Sequence, residues 1–107
     1  MILVRVQRNR TEISKITVSG HAESAPYGED LICAAVSSIV TGTLNAIDEM
    51  AKGSCLISQN EEKTVIEVKK TDSKIPIILD VMLYQLKTLA ESYSEYLEVE
   101  EETSYEI

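Results

Sequence analysis

The chain has 107 residues and a formal net charge of −8, with 44% hydrophobic and 26% charged residues. These values are ordinary for a globular protein. The length predicts one domain over residues 1–107, with a hydrophobic core that is stable without disulfides or metal ions. The acidic balance argues against nucleic-acid binding, which requires clustered Lys and Arg. No uninterrupted apolar run approaches the roughly 20 residues of a membrane helix, and the N-terminus does not resemble a signal peptide. We therefore expect a cytoplasmic protein without a membrane or nucleic-acid partner.

The first third of the chain begins with an alternating pattern of apolar and polar residues. This alternation covers 2–8 and 13–19, on either side of the polar turn 9–12, and predicts a β-hairpin. Small residues, one proline and two glycines then predict a loop over 20–29.

The middle of the chain predicts a helix followed by a second hairpin. Apolar residues recur at steps of three and four over 31–52, which is typical of a helix with one buried face. Asp30 suits its N-cap, and Gly53 suits the left-handed position just beyond its end. Strands over 55–59 and 64–70 follow, joined by a polar turn.

The last third predicts a second helix over 75–93 and a final strand over 96–102. Val81, Leu83 and Tyr84 lie largely off the apolar stripe of this helix. They indicate a subunit interface, or else scattered apolar residues at the surface or a broad helix face in contact with the sheet.

The predicted element order is therefore ββαββαβ. Because consecutive hairpins place neighbouring strands antiparallel, we expect an α+β fold with a single, mainly antiparallel sheet and two helices.

The one histidine and one of the two cysteines stand close together in the sequence. His21 lies where the second predicted strand gives way to the loop, and Cys33 lies in the first turn of the predicted helix. Unpaired N–H groups and the dipole at a helix start favour a thiolate, and a nearby imidazole would activate it. The same N–H groups can stabilise an oxyanion. By residue type alone, a buried structural cysteine and a surface histidine are the more common explanation.

A longer motif surrounds these two residues. Gly-His-Ala at 20–22 is followed by Tyr-Gly-x-Asp at 27–30, two aliphatic residues, Cys-Ala at 33–34 and a serine at 37. This string resembles the signature of the ribosomal-processing cysteine protease family, known as Prp. The length and element order agree with that family along essentially the whole chain, although the downstream half matches by pattern and not by a distinctive motif.

The resemblance implies a cysteine endopeptidase that removes a short N-terminal extension from bacterial large-subunit ribosomal protein twenty-seven. It implies Cys33 as the nucleophile and His21 as the base. The peptide extension would be the substrate, no cofactor would be needed, and the protein would work as a homodimer.

Five further motif positions are expected to support the site: Gly20, Tyr27, Gly28, Asp30 and Ser37. The two glycines suit hinges of a loop that moves over the thiol, and Tyr27 suits a position that faces substrate. Asp30 can orient His21 or bind substrate, roles that compete with its capping of the helix. Ser37 can bond the thiolate or substrate, or else bond back to the carbonyl of Cys33.

Two other functions remain open from the residues themselves. One is a non-enzymatic ribosome-associated module that binds a peptide or assists assembly without cutting. The other is a thiol redox sensor. A metal site is disfavoured because one histidine and two scattered cysteines do not form a zinc framework. Cys55, at the start of a strand, is expected to be structural.

Overall fold

The computed structural model describes residues 1–20 and 27–105, with the backbone alone at 27–30. The predicted order ββαββαβ is confirmed. The elements are β1 (Ile2–Asn9), β2 (Glu12–Ser19), α1 (Tyr27–Met50), β3 (Cys55–Gln59), β4 (Lys63–Val68), α2 (Ile75–Ser92) and β5 (Leu97–Ser104). Six of the seven lie close to their predicted positions, and α1 differs at its start.

The five strands form one sheet in the order β3-β4-β2-β1-β5. β1 and β2 pair antiparallel, as do β2 and β4, and β3 and β4. β5 returns from α2 to the other edge and pairs parallel to β1, with Ile2 opposite Leu97. The expected single, mainly antiparallel sheet is therefore confirmed, with one parallel pairing. A helix separates β5 from the preceding hairpin, so the strand can enter the sheet in either direction.

One face of the sheet carries the core, and both helices pack on it. Alternate residues of β1 are buried while their neighbours are not, as the period of two requires. The sheet contributes fully buried Val4, Val6, Ile16, Ile66 and Leu97, α1 contributes Ile32, Val36, Val40 and Ile47, and α2 contributes Leu79, Met82 and Leu86. These shared core contacts fix the position of α1 relative to the sheet.

Helix α1 begins at Tyr27, so the predicted start at residue 31 is wrong. The predicted loop ends before residue 27, and Asp30 is the fourth helical residue instead of the N-cap. The sequence permits this earlier start because Glu29 and Asp30 are acidic, and acidic residues are favourable in the first turn of a helix. At the other end, Gly53 takes the expected left-handed conformation with φ +83°.

The sequence pattern places Leu83, like Val81 and Tyr84, off the apolar stripe of α2, and the structure separates the three residues. Leu83 is 2% exposed and belongs to the core, whereas Val81 and Tyr84 are 52% and 68% exposed. The buried face of α2 is thus broader than a single stripe, because the helix contacts both the sheet and α1.

By length and composition, the stretch Leu31–Met50 of α1 would be able to cross a membrane. Six of its exposed positions are polar or charged, however: Ser37, Ser38, Thr41, Asn45, Asp48 and Glu49. A helix surrounded by lipid would be apolar on all sides. The pattern of α1 is that of a helix packed on a core with one polar face.

Candidate active site

A groove of about 330 Å³ lies between α1 and the β3–β4 hairpin. Residues of the second and later turns of α1 form one wall, and the hairpin turn forms the other. Ends of β1 and β2 close the bottom. The lining consists of Ile2, Val18, Gly20, Cys33, Val36, Ser37, Val40, Thr41 and 59–64. The groove therefore brings together two of the motif segments recognised in the sequence and one segment outside the motif.

Cys33 presents a free thiol to this groove. Its side chain is half-buried and packs partly against the core. Because α1 begins at Tyr27, Cys33 is the seventh helical residue and lies in the second turn. The predicted placement in the first turn is wrong, so the unpaired N–H groups of the helix start do not surround the sulfur.

Ser37 lies one turn after Cys33 on the same wall of the groove, as residues four apart on a helix do. Its side chain is exposed. Thr43, further along α1, donates a hydrogen bond to the carbonyl of Ile39 at 2.8 Å. Within the part of the chain that the structure describes, Ser37 makes no such back-bond to Cys33. The hydroxyl of Ser37 is thus available to a bound molecule.

Gly20 anchors the floor of the groove to the opposite wall. Its φ is +84°, and its N–H donates a hydrogen bond to the carbonyl of Glu62 at 3.2 Å. A Cβ at this position would collide with the carbonyl oxygen of Met1. A side chain is therefore excluded both by the left-handed conformation and by the neighbouring backbone.

The structure describes the remaining motif residues only in part. His21 lies outside the described residues, so its distance from Cys33 is not part of the structure. Tyr27, Gly28 and Asp30 form the first turn of α1, where the backbone alone is described. The prediction of Gly28 as a loop residue is corrected by its helical position.

The β3–β4 turn forms the wall that the sequence did not reveal. The carboxamide oxygen of Asn60 accepts hydrogen bonds from the N–H groups of Glu62 and Lys63 at 2.8 and 2.9 Å, which shapes the turn. Gln59 donates from Nε2 to Oγ1 of Thr64 at 3.2 Å. The polar turn itself was visible in the sequence. Only the pairing of β2 with β4 brings it beside Gly20 and Cys33.

Cys55 does not contribute to the groove. It starts β3, and the groove lies at the other end of that strand. Burial raises the pKa of the Cys55 thiol, the nearby Asp72 carboxylate adds to this, and a hydrogen bond from Ser54 opposes it. A thiol with a raised pKa is a weak nucleophile at neutral pH. The geometry agrees with a structural role for Cys55.

The sequence model of the family described as cysteine protease Prp matches residues 1–98. The chain belongs to this family. The ribosomal processing cysteine protease Prp of Mycoplasma pneumoniae is 37% identical over 92 residues, which cover 82% of this chain and 87% of that relative. The Bacillus subtilis Prp is 27% identical over 107 residues, covering 92% and 96% of the two chains.

Solved structures of Prp proteins share the fold. Staphylococcus aureus Prp in complex with a substrate peptide is 26% identical, with a TM-score of 0.88 over 95% of this chain and all of that chain. The same protease with a covalently linked product peptide is 27% identical, with a TM-score of 0.84 and the same coverage. The chain is a cysteine protease, which removes the non-enzymatic module from consideration.

Proposed function

We propose that the chain removes the N-terminal extension of large-subunit ribosomal protein twenty-seven, with Cys33 as nucleophile and His21 as base. The observation that carries this proposal is the free thiol of Cys33 in the same groove as Gly20, the residue that precedes His21. Relatives named ribosomal processing cysteine protease support the substrate class.

The proposed reaction proceeds through a covalent intermediate. His21 takes the proton of Cys33, and the thiolate attacks the scissile carbonyl carbon to form a tetrahedral oxyanion. Collapse of this species breaks the C–N bond, and the imidazolium of His21 protonates the departing amine. Water, deprotonated by His21, then attacks the thioester and releases the extension with a new carboxylate. The thiol is regenerated for the next turnover.

The supporting residues have narrower proposed roles. Ser37 hydrogen-bonds the thiolate or a substrate carbonyl from the turn after Cys33, since its hydroxyl faces the groove without a back-bond. Asp30 orients His21 or binds the substrate backbone, because its place as fourth residue of α1 leaves it no capping role. Gly20 holds the base of the loop, and Tyr27 and Gly28 contact substrate from the start of α1.

One assay tests the proposal. The protein is incubated with the extended ribosomal protein, and the product is identified by mass spectrometry. Cys33→Ala and His21→Ala should each abolish the shorter product, whereas Cys55→Ala is the matched thiol control and should cut normally. Cleavage by Cys33→Ala would overturn the assignment of the nucleophile. Reversible oxidation of Cys33 without any proteolysis would support the redox sensor instead.

We also propose that the protein acts in the cytoplasm as a homodimer. An apolar row on α2 supports the dimer: Ile77, Val81 and Tyr84 are separated by four and three residues and are each more than half exposed. Tyr84→Glu should convert the dimer to a monomer in sedimentation velocity runs. Gln7→Glu adds the same charge at an exposed position of β1, on the face of the sheet away from α2, and should leave the dimer intact. A monomeric unmodified protein would contradict the proposal.

A further inference from the structure

The two edges of the sheet differ sharply in their chemistry. An unpaired edge strand invites association, and proteins commonly protect such strands with charged side chains. β5, at one edge, carries Glu98, Glu100, Glu101 and Glu102. β3, at the other edge, reads Cys-Leu-Ile-Ser-Gln and has no charge, proline or glycine. Leu56 and Ile57 on this strand are 57% and 39% exposed. The β3 edge is thus open for pairing, and the β5 edge is protected.

The hydrogen bonds around β3 show which of its backbone groups face outward. Bonded and non-bonded pairs alternate along an antiparallel ladder. Just before β3, the carbonyl of Ser54 accepts a hydrogen bond from the N–H of Lys69. Just after β3, the N–H of Asn60 donates a hydrogen bond to the carbonyl of Lys63. The bonded positions within β3 are therefore Leu56 and Ser58, which face β4.

It follows that the N–H and carbonyl groups of Cys55, Ile57 and Gln59 point away from β4. In the described part of the chain, no further strand lies beyond β3 to form hydrogen bonds with these groups. This is a row of backbone donors and acceptors at every second residue, the spacing to which an extended peptide can bond.

The open edge leads directly into the groove that holds Cys33. Gln59, the last residue of β3, lines that groove together with the thiol. Ile57 pairs with Ile66 and Gln59 pairs with Thr64, so both side chains stand on the helix-covered face of the sheet. Ile57 thus extends the groove with an apolar surface, on the same side as the reacting sulfur.

We propose that the β3 edge binds the substrate peptide as an additional strand and delivers it to Cys33. The added strand bonds to the outward backbone groups of Cys55, Ile57 and Gln59, and an apolar residue of the peptide packs on Ile57. This inference rests on the proposed function and adds the surface that holds the peptide. Strand addition also explains why an uncharged edge with two exposed aliphatic residues is tolerated beside the site.

The first test removes donors from the peptide. The probe is a peptide that spans the N-terminal extension and cleavage site of ribosomal protein twenty-seven, with one backbone nitrogen methylated at a time outside the scissile bond. Methylation should lower kcat/KM by about tenfold at every second residue, because each affected N–H loses its bond to β3, and change it little in between. Equal effects at neighbouring positions would overturn strand addition.

The second test removes a donor from the protein. Ile57→Pro deletes an outward N–H without breaking the β3–β4 ladder, and Ile57→Ala deletes the side chain but keeps the N–H. We expect Ile57→Pro to raise KM about tenfold above Ile57→Ala, with both variants folded by circular dichroism. Equal KM values for the two variants would overturn the role of the edge.

Two other outcomes are distinguishable. If Ile57→Pro changes sedimentation from dimer to monomer and leaves KM unaltered, β3 pairs with a second copy and the inference is wrong. If the parent peptide is neither bound by Cys33→Ala nor cut by the unmodified protein, the proposed substrate is wrong, and the inference falls with it.

Discussion

Gly20→Ala and Gly53→Ala form a matched pair of substitutions that separates backbone conformation from crowding. Both glycines have left-handed backbones, with φ +84° and +83°. A Cβ on Gly53 meets no atom within 4 Å, whereas a Cβ on Gly20 meets the carbonyl oxygen of Met1. Both variants therefore pay the same free-energy cost for a left-handed alanine, and only Gly20→Ala also brings a Cβ into collision with the backbone.

The structure sets the size of the expected difference. An L-residue in the left-handed region costs about 1–2 kcal/mol, and the reduced freedom of the unfolded chain returns about 0.4–1 kcal/mol. We expect Gly53→Ala to lower the free energy of unfolding by about 1 kcal/mol. Gly20→Ala must also displace backbone, at about 1–3 kcal/mol, and weaken the hydrogen bond to Glu62. Its total loss should be about 2–5 kcal/mol.

Urea denaturation measures both losses from the transition midpoint, provided the slope of the transition stays constant. Peptide cleavage at a temperature where both variants are folded gives a second readout. Gly20→Ala should lower kcat/KM by about 10- to 100-fold, since it moves the floor of the groove, and Gly53→Ala should leave it unchanged. Equal losses of stability in the two variants would refute the collision argument.

Two further predictions concern ionisable groups. Hydrogen bonds and charges from Lys87 and Arg8 hold the pKa of Glu101 below its usual value, at distances of 2.6 and 3.2 Å. Because a lowered folded-state pKa stabilises the fold above the unfolded pKa, Glu101→Gln should cost up to about 1 kcal/mol at pH 7. This loss should vanish as the pH falls through the folded-state pKa. A difference in urea midpoint between the unmodified protein and Glu101→Gln that does not change with pH would contradict the prediction. Glu102→Gln is the neighbouring control. The raised pKa of Cys55 predicts that iodoacetamide at pH 8 labels the folded Cys33→Ala variant more slowly than the same variant in urea, as followed by mass spectrometry, and equal rates would show that burial does not protect this thiol.

Local sequence patterns determined most of the secondary structure. Alternation located four of the five strands and the turns between them, and apolar steps of three and four located both helices. Gly53 was placed correctly because a helix end imposes a conformation that glycine adopts readily. The start of α1 was missed because a glycine and an aspartate near a helix end suit a cap and a first turn equally well.

The motif from Gly20 to Ser37, through its resemblance to a family signature, was sufficient to indicate a cysteine protease, and it predicts Cys33 as the nucleophile. The residues of this motif lie close together in the chain, so the motif can be recognised without knowing which distant segments contact it. The wall formed by 59–64 and the open edge of β3 could not be read in this way. Their positions depend on the pairing of β2 with β4, a contact between residues some 50 apart in the chain, and local patterning does not specify which strands become neighbours.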